Sequence, residues 1–385
     1  MSRLHSRMIT VRNSGNCGSQ WLCRLIVALG LLAAVTSSPA AGQTGNGQAP
    51  LRKEAAQVFF SGHSLIDNPL PDWVELIATS LGKRISWEQQ MILGSPLRLR
   101  TRGEGPAGWK GYRYGKNRVG EGMDVIAELG QGRSAGTGRP YDTLVIAENH
   151  GLLGSIIWEN GIGYLRHFHD RLTAANPSGR TLYVHAWLGI DRQDPGRFVA
   201  REMEISRIWE CAAEKANLSL EAENRPAGLS VIPAGSALAT LVRQGLSGHV
   251  ANLSGSPAQV VDAIFRDDVH LTDPGIYFLA AVHYAAIYGQ SPQGAEAPES
   301  VAPDLAAELQ ALAWQVVQGF QQSRRPQMAE CRRILIDSVC ESYWSYTQSY
   351  EEIGRCKGYF SRTDPQREGN PFVWPDSQWI ALPFP

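Results

Sequence analysis

The chain has 385 residues, of which 43% are hydrophobic, and it carries a formal net charge of −1. This length accommodates two or three domains, or one α/β domain with extensions, and the apolar content is sufficient for a sizeable core. The chain is not strongly basic, unlike proteins that bind nucleic acid through a high net positive charge, so we expect no nucleic-acid partner.

The first 40 residues have the pattern of a secretory signal peptide. Residues 1–24 contain four arginines and no acidic residue, residues 25–35 form an unbroken apolar run, and small residues follow at 37–41. A basic segment, an apolar segment and a small-residue cleavage site are typical of export signals. Eleven apolar residues are few for a transmembrane helix, so an uncleaved anchor is the less favoured alternative. We therefore predict a secreted or periplasmic protein without stable membrane insertion after cleavage.

A Gly-, Gln- and Ala-rich stretch at 41–56 predicts a flexible lead-in, and alternating strands and helices follow. Short apolar runs bounded by Gly, Pro or polar residues predict strands at 57–61, 84–88, 141–147, 181–187 and 229–235. Amphipathic segments between and after these runs predict helices. This alternation indicates a parallel sheet with helices on both faces, and we assign residues 57–289 to one α/β domain.

Residues 94–122 interrupt this pattern with seven basic residues, many glycines and three aromatic residues, Trp109, Tyr112 and Tyr114. A long segment without periodicity predicts a surface loop. Two interpretations remain open for it. It is either a solvated loop or a substrate-binding loop, because aromatic faces and arginine side chains suit sugars and anionic polymers.

Residues 290–302 are rich in Pro, Gly and Glu and predict a linker, and residues 303–385 form a C-terminal extension. Residues 303–322 predict an amphipathic helix, and the remainder is rich in Trp and Pro. This extension could cover the mouth of a site, form a dimer surface or brace the sheet, and the oligomeric state is not predicted.

Four cysteines remain after removal of the signal peptide: Cys211, Cys331, Cys340 and Cys356. An even number in an exported chain predicts at least one disulfide, with three pairings open, and the alternative is four reduced buried thiols. The C-x-x-C spacing of a structural zinc site is absent from the sequence, and we predict neither a metal nor a cofactor.

Two distant segments supply the residue types of a nucleophilic hydrolase. Ser64 follows the first predicted strand, at the sheet edge where open α/β sheets place their ligands. About 200 residues later, Asp267 and His270 are three residues apart on one predicted loop. A serine needs a base to become a nucleophile, and the base needs an orienting carboxylate. The sequence therefore predicts Ser64 as nucleophile, His270 as base and Asp267 as the orienting acid, with Asp268 as an alternative acid.

A developing oxyanion also needs hydrogen-bond donors. The candidates are the backbone N–H groups of Ser64 and Gly94 and the side-chain amide of Asn149, which follows a predicted buried strand.

The segments Gly62-His63-Ser64-Leu65, Gly94, Asn149 and Asp267-x-x-His270-Leu271 resemble, in order and spacing, the four blocks of the SGNH (GDSL-like) hydrolase superfamily. The resemblance covers roughly residues 58–288. It implies a three-layer α/β/α sandwich, ester hydrolysis by a serine nucleophile and no metal, with the roles already given to the triad and to the three oxyanion donors.

The chain differs from the family pattern beside two of these residues. His63 stands where the family usually has an acidic residue, and Ala147-Glu148-Asn149-His150 replaces the usual Gly-x-Asn-Asp block. Both changes place a histidine near the reacting centre, which makes His150 a candidate substrate-binding residue.

These observations predict an exported serine esterase that hydrolyses small acyl esters through an acyl-enzyme. The acyl group is predicted to be acetyl on a carbohydrate, from the export signal and the basic, aromatic loop, so the partner would be a small-molecule or polysaccharide ester. Two alternatives remain open: an acyltransferase, and an inactive SGNH-type fold that serves as a carbohydrate-binding or assembly module.

Overall fold

Five parallel strands form the central sheet in a computed structural model of the chain. They are β1 (Ala55–Gly62), β2 (Arg84–Met91), β3 (Thr143–Ala147), β4 (Arg180–Val184) and β5 (Leu229–Ile232). Their order across the sheet is β2-β1-β3-β4-β5. The chain therefore moves outward from β1 in one direction to β2, returns past β1 to β3, and then continues to β5.

The structure describes residues 53–105, 108–133, 135–364 and 369–376. The predicted signal peptide and most of the predicted lead-in lie outside these residues. No helix among the described residues is both long enough and apolar enough to span a membrane.

Nine α-helices accompany the strands in the part of the chain up to residue 289 that the structure describes. They are α1 (Leu70–Ser80), α2 (Leu97–Thr101), α3 (Val125–Gln131), α4 (Leu152–Trp158), α5 (Gly161–Ala175), α6 (Pro195–Ala222), α7 (Ala234–Leu246), α8 (Pro257–Ile264) and α9 (Asp273–Tyr288). In the C-terminal region, α10 (Pro303–Gln321), α11 (Met328–Ile334), α12 (Cys340–Tyr346) and α13 (Glu352–Ser361) follow, and a π-helical turn at Leu335–Val339 joins α11 to α12.

The helices lie on both faces of the sheet. Helices α1 and α9 contact each other and cover one face, whereas α5 contacts both α3 and α6 and these three cover the opposite face. The fold is a three-layer α/β/α sandwich with a parallel central sheet and a helical C-terminal region, which confirms the predicted fold class.

The strands are buried on both faces, as the layered arrangement requires. Every residue of β3 is buried, and Val58, Phe59 and Phe60 of β1 have no exposed surface. Continuous apolar runs, rather than alternating ones, are typical of parallel strands covered by helices on both sides. This burial explains why short continuous apolar runs located these strands in the sequence.

Strand β2 extends three residues beyond its predicted end because its polar residues are satisfied internally. The side-chain amide of Gln90 donates to the carbonyl oxygens of Arg100, Gly111 and Tyr114, at 3.1, 2.8 and 3.1 Å. A buried polar group is tolerated when it is hydrogen-bonded. Gln90 therefore ties the predicted surface loop to the sheet, and this loop contains α2 and a 3₁₀ turn at Lys110–Arg113.

The predicted linker, residues 290–302, packs against the α/β domain. The backbone N–H of Glu296 donates to Ser80 Oγ at 3.0 Å, and the Glu296 carbonyl accepts from the Tyr277 hydroxyl at 3.0 Å. Gln310 of α10 donates to the same Tyr277 oxygen at 2.8 Å, and α10 packs along α9. The segment is thus a packed connection between α9 and α10.

Two disulfides attach and stiffen the C-terminal region. Cys211 of α6 pairs with Cys331 of α11 across 120 residues, and Cys340 of α12 pairs with Cys356 of α13 across 16 residues. These pairings resolve the three that the sequence left open, and they exclude four reduced thiols.

The two disulfides are expected to differ in their effect on stability because a longer closed loop restricts the unfolded chain more. Replacing Cys211 and Cys331 together by serine should lower the free energy of unfolding by about 4–5 kcal/mol, and the Cys340/Cys356 pair by about 3 kcal/mol. Denaturant unfolding of both double variants measures this difference. Equal losses, or a larger loss for the short loop, would show that native-state contacts around the bridges dominate.

His283 in α9 should make stability depend on pH. Its side chain has no exposed surface, and burial lowers its pKa to about 4, although the hydrogen bond between Nδ1 and the Leu279 carbonyl at 2.7 Å acts to raise it. Between about pH 6.5 and 4 the unfolded chain then binds a proton that the folded protein does not. The contribution of this histidine is therefore present above about pH 6.5 and is lost as the pH falls toward 4, with a slope of up to about 1.4 kcal/mol per pH unit.

A His283→Leu variant isolates this contribution, since the other titrating groups are shared with the wild type. Denaturant unfolding measures the free energy of unfolding of wild type and variant. As the pH falls from about 6.5 to 4, we expect the wild type to lose stability relative to the variant by up to about 1.4 kcal/mol per pH unit. A difference that stays constant from pH 7 to pH 4 would contradict a depressed pKa for His283.

Candidate active site

Ser64 lies on a tight turn directly after β1. The turn is closed by a hydrogen bond from the Ile66 N–H to the His63 carbonyl at 2.9 Å. A Cβ atom on Gly62 would lie 2.3 Å from Ile66 Cγ1, so the close approach of Ile66 requires a glycine here. The turn leaves Ser64 partly exposed at the carboxyl edge of the sheet.

The segment that carries Asp267 and His270 is a closed loop between α8 and α9. An isolated antiparallel bridge joins Phe265 to Leu271, and the Arg266 N–H donates to the His270 carbonyl at 2.9 Å. Thr272 then caps α9. The loop is therefore fixed at both ends, and its side chains reach the turn that holds Ser64.

The side chains of the three predicted triad residues form a hydrogen-bonded chain. His270 Nε2 lies 3.1 Å from Ser64 Oγ, and His270 Nδ1 lies 2.9 Å from Asp267 Oδ2. Because Nδ1 faces a carboxylate, the neutral ring carries its proton there and presents the unprotonated Nε2 to the serine. This is the geometry in which an imidazole can accept a serine proton while a carboxylate orients it.

Asp267 is held in its ionised form. Burial acts to raise its pKa, but the backbone N–H groups of His270 and Val269, followed by the His270 ring, outweigh burial and lower the pKa to about 2. The two N–H groups donate to Oδ1 at 2.6 and 2.9 Å. The carboxylate therefore remains charged throughout the range in which a histidine titrates.

The loop after β4 holds the triad loop in place, and sequence reasoning did not identify this contact. The Trp187 indole N–H donates to the Val269 carbonyl at 2.8 Å, and the Ile190 N–H donates to the Asp268 carbonyl at 2.7 Å. Gly189 lies beside Asp268, whose carboxylate is within 3.4 Å of a Cβ built on that glycine. Asp268 thus faces the β4 loop, and Asp267 is the carboxylate that contacts the His270 ring.

The other two predicted oxyanion donors lie on the loops that follow β2 and β3. Gly94 is exposed in the turn before α2 and has a φ of +64°, which favours glycine. Asn149 is the second residue after β3, and its Oδ1 accepts from the Gly151 N–H at 2.9 Å. This bond fixes the carbonyl end of the amide, so the Nδ2 end is left to donate. Parallel strands bring these loops and the Ser64 turn to the same edge of the sheet.

His63 is a buried structural residue. Its ring is 2% exposed, and its Nε2 lies 3.1 Å from the Glu148 carbonyl oxygen. Burial first, and then the charge of Arg100, lowers its pKa to about 4. The neutral ring donates to the Glu148 carbonyl and so links the Ser64 turn to the residue that follows β3.

Two of the predicted substrate-binding residues are in the core, which corrects their assignment. Trp109 and Tyr112 are 7% and 1% exposed. The Trp109 ring stacks on His167 with centroids 3.7 Å apart, and the Tyr112 hydroxyl lies 2.8 Å from His167 Nδ1. Neither ring offers a face to a substrate. A glycine-rich sequence without periodicity concealed this packing, because it depends on an aromatic partner about 55 residues away.

The remaining two substrate-binding candidates are more accessible. Tyr114 is partly exposed, and His150 is exposed directly after Asn149. The backbone carbonyl of His150 accepts from the Tyr343 hydroxyl at 3.1 Å, and that of Gly189 accepts from the Tyr346 hydroxyl at 2.5 Å. Helix α12 thus contacts two loops beside the triad, which favours bracing as a role of the C-terminal region.

Sequence reasoning also missed two buried charged residues behind the site, Glu148 and Arg100, both with no exposed surface. A glutamate directly after a buried strand was the available signal. Over the residues with described positions, no group of three or more His, Cys, Asp or Glu side chains has an arrangement that could hold a metal ion.

Comparisons with known proteins leave the family of this chain open. No protein-family model matches the chain, and no curated protein matches it. A similar solved structure is the crystal structure of a DUF4886 family protein from Bacteroides uniformis ATCC 8492. It is 15% identical, with a TM-score of 0.49, and the match covers 70% of this chain and 98% of that chain.

Proposed function

We propose that the chain is an exported serine esterase of the SGNH type, which cleaves small acyl esters through an acyl-enzyme. The observation that carries the proposal is the hydrogen-bonded line from Ser64 Oγ to His270 Nε2 at 3.1 Å and from His270 Nδ1 to Asp267 Oδ2 at 2.9 Å. Residues about 200 positions apart in the sequence meet in this line, and no structural requirement of the α/β fold demands it.

The proposed reaction has two halves. Ser64 Oγ attacks the ester carbonyl carbon, and its proton passes to His270 Nε2. The tetrahedral intermediate collapses, the bond to the alkoxy oxygen breaks, and the alcohol leaves with that proton. A water molecule then gives a proton to His270 and attacks the acyl carbon, which releases the acid and restores Ser64. Donors at Ser64, Gly94 and Asn149 would stabilise the oxyanion in both halves.

The disulfides and the N-terminal sequence support export. Cys211–Cys331 and Cys340–Cys356 are both bonded, and disulfides persist mainly in oxidising compartments. The predicted signal sequence is consistent with that location.

The burial of Trp109 and Tyr112 removes the main argument for a carbohydrate substrate. Acetylated carbohydrates are therefore tested beside simple esters.

The purified mature protein would be assayed with aryl acetate, butyrate and octanoate and with acetylated xylo-oligosaccharides, beside the Ser64→Ala variant. We expect acid release that requires Ser64 and falls with chain length. A folded wild type that releases acid from none of these esters would contradict the proposal, and ester formation on an added alcohol in place of acid would indicate a transferase.

A further inference from the structure

Glu148 is a buried carboxylate at the junction of the loops that would form the oxyanion hole. It follows β3 and directly precedes Asn149, and its side chain has no exposed surface. Its Oε1 accepts the backbone N–H groups of Leu97 at 2.8 Å and of Asn149 at 2.9 Å. Its Oε2 accepts from the Ser155 hydroxyl at 2.6 Å. Three donors therefore satisfy a carboxylate that has no contact with solvent.

These bonds join segments that are distant in the sequence. Leu97 begins α2, three residues after Gly94, so its bond to Glu148 anchors the loop that carries Gly94. The same carboxylate oxygen fixes the backbone of Asn149. The main-chain carbonyl of Glu148 accepts from His63, the neighbour of Ser64. One residue thus contacts all three segments that carry the proposed oxyanion donors.

Arg100 completes the arrangement from the other side of the same loops. Its guanidinium donates to Ser61 Oγ at 3.1 Å, to the Ser95 carbonyl at 2.7 Å and to Ser95 Oγ at 2.8 Å. It also donates to the Ala147 carbonyl, at the end of β3. These partners lie before Ser64, beside Gly94 and before Asn149.

The charges of Arg100 and Glu148 attract each other, so each favours the charged form of the other. The pKa of Glu148 is raised, because burial outweighs the hydrogen bond from Ser155 and then the charge of Arg100, which both act to lower it. Removing one charge of a buried pair leaves the other uncompensated, which is strongly unfavourable. Both side chains also hydrogen-bond to the backbone of these loops, Glu148 at Leu97 and Asn149 and Arg100 at Ser95 and Ala147, so together they bear on the relative position of the loops.

We propose that Glu148, together with Arg100, is a positioning residue that assembles the oxyanion hole by holding the Gly94 loop and Asn149 against the Ser64 turn. This inference rests on the proposed esterase function. Glu148 is buried behind the site and acts through the backbone N–H groups that it binds.

Two substitutions of Glu148 test the proposal. Glu148→Gln keeps an acceptor for Leu97 and Asn149 but removes the charge, and we expect kcat to fall about 10-fold. Glu148→Ala removes the acceptor as well, and we expect kcat to fall about 10²–10³-fold, the loss typical of a missing oxyanion donor. KM should change less than about 3-fold in both, because the donors act mainly on the tetrahedral state. Rates are expressed per site titrated with a fluorophosphonate, so that loss of folded protein does not count as loss of catalysis.

Glu128→Gln provides a matched control. Glu128 is also a buried glutamate, 6% exposed, and it accepts from the Tyr141 hydroxyl at 2.7 Å, near the amino end of β3. Its substitution should lower the denaturation midpoint without lowering kcat per titrated site. Affinity for an aryl boronic acid, which forms a tetrahedral adduct with serine, should fall in parallel with kcat/KM in the Glu148 variants alone.

The outcomes separate this inference from the function on which it rests. A wild type that neither reacts with the fluorophosphonate nor hydrolyses esters overturns both. A reactive wild type, with kcat for Glu148→Gln and Glu148→Ala within 2-fold of it, overturns the positioning role alone. If Glu148→Ala does not fold, the Glu148→Gln result decides: an unchanged kcat and boronate affinity overturn the role.

Discussion

Replacing Ser64 by alanine is expected to lower kcat for ester hydrolysis by about 10⁶-fold and to leave the fold intact. The side chain supplies the attacking oxygen, and loss of a nucleophile of this type removes the covalent pathway entirely. Ser64 is partly exposed on its turn, so the loss of one hydroxyl creates no core cavity. Steady-state kinetics with an aryl acetate, beside a denaturant unfolding curve, measures both quantities.

The control for this prediction is His270→Ala, which removes the base instead of the nucleophile. Residues that act as one unit are not additive, so the double variant should be about as slow as either single variant. Independent, multiplying losses from the two substitutions would contradict a shared mechanism. Retention of most activity by Ser64→Ala would place the nucleophile elsewhere in the chain.

Asp267→Asn is expected to lower kcat by about 10⁴-fold with little change in KM. The amide would keep a contact with the His270 ring but would favour the tautomer that presents a proton, instead of a lone pair, to Ser64. The wild-type carboxylate is ionised because its pKa is lowered to about 2 against the effect of burial, so protonation does not mimic this variant above about pH 4. Kinetics between pH 5 and pH 9 should show the loss at every pH.

Asp268→Asn is the matched control, since it makes the same chemical change at the next residue. Asp268 lies beside Gly189 and is held through its backbone carbonyl by Ile190. We expect less than a 10-fold change in kcat. Equal losses from the two substitutions would mean that the loop tolerates neither change, and a larger loss from Asp268→Asn would reverse the assignment of the orienting acid.

Much of the sandwich could be predicted from the sequence because its signals are local. Strands such as Thr143–Ala147 are continuous apolar runs bounded by Gly, Pro or polar residues. The existence of all five strands follows from such runs, and their parallel arrangement follows from the helices between them. The predicted ends were wrong in both directions: β4 and β5 each end three residues earlier than predicted, and β2 ends three residues later, where buried polar residues continue it. β2 reaches Met91 through Gln90, whose three acceptors lie up to 24 residues away.

In the candidate site, too, the residues with local signals could be predicted and the tertiary contacts could not. Ser64, Asp267 and His270 could be found because each lies on a short segment of recognisable spacing, and a resemblance joined them. The supporting contacts could not be found, because Trp187 and Ile190 reach the triad loop only through the tertiary fold. The substrate-binding assignment of Trp109 was wrong for a related reason: composition identifies aromatic residues, but only packing against His167 shows that this one is buried.

Intact-mass analysis of the mature protein after exposure to a fluorophosphonate tests the central claim most directly. Attack by an activated Ser64 Oγ on phosphorus expels fluoride and adds one phosphonyl group. The assembled triad predicts one added group on the wild type, mapped to the peptide that contains Ser64, and none on Ser64→Ala or His270→Ala. A folded wild type that gains no mass, or a label that persists in Ser64→Ala, would contradict the proposed catalytic role of this triad.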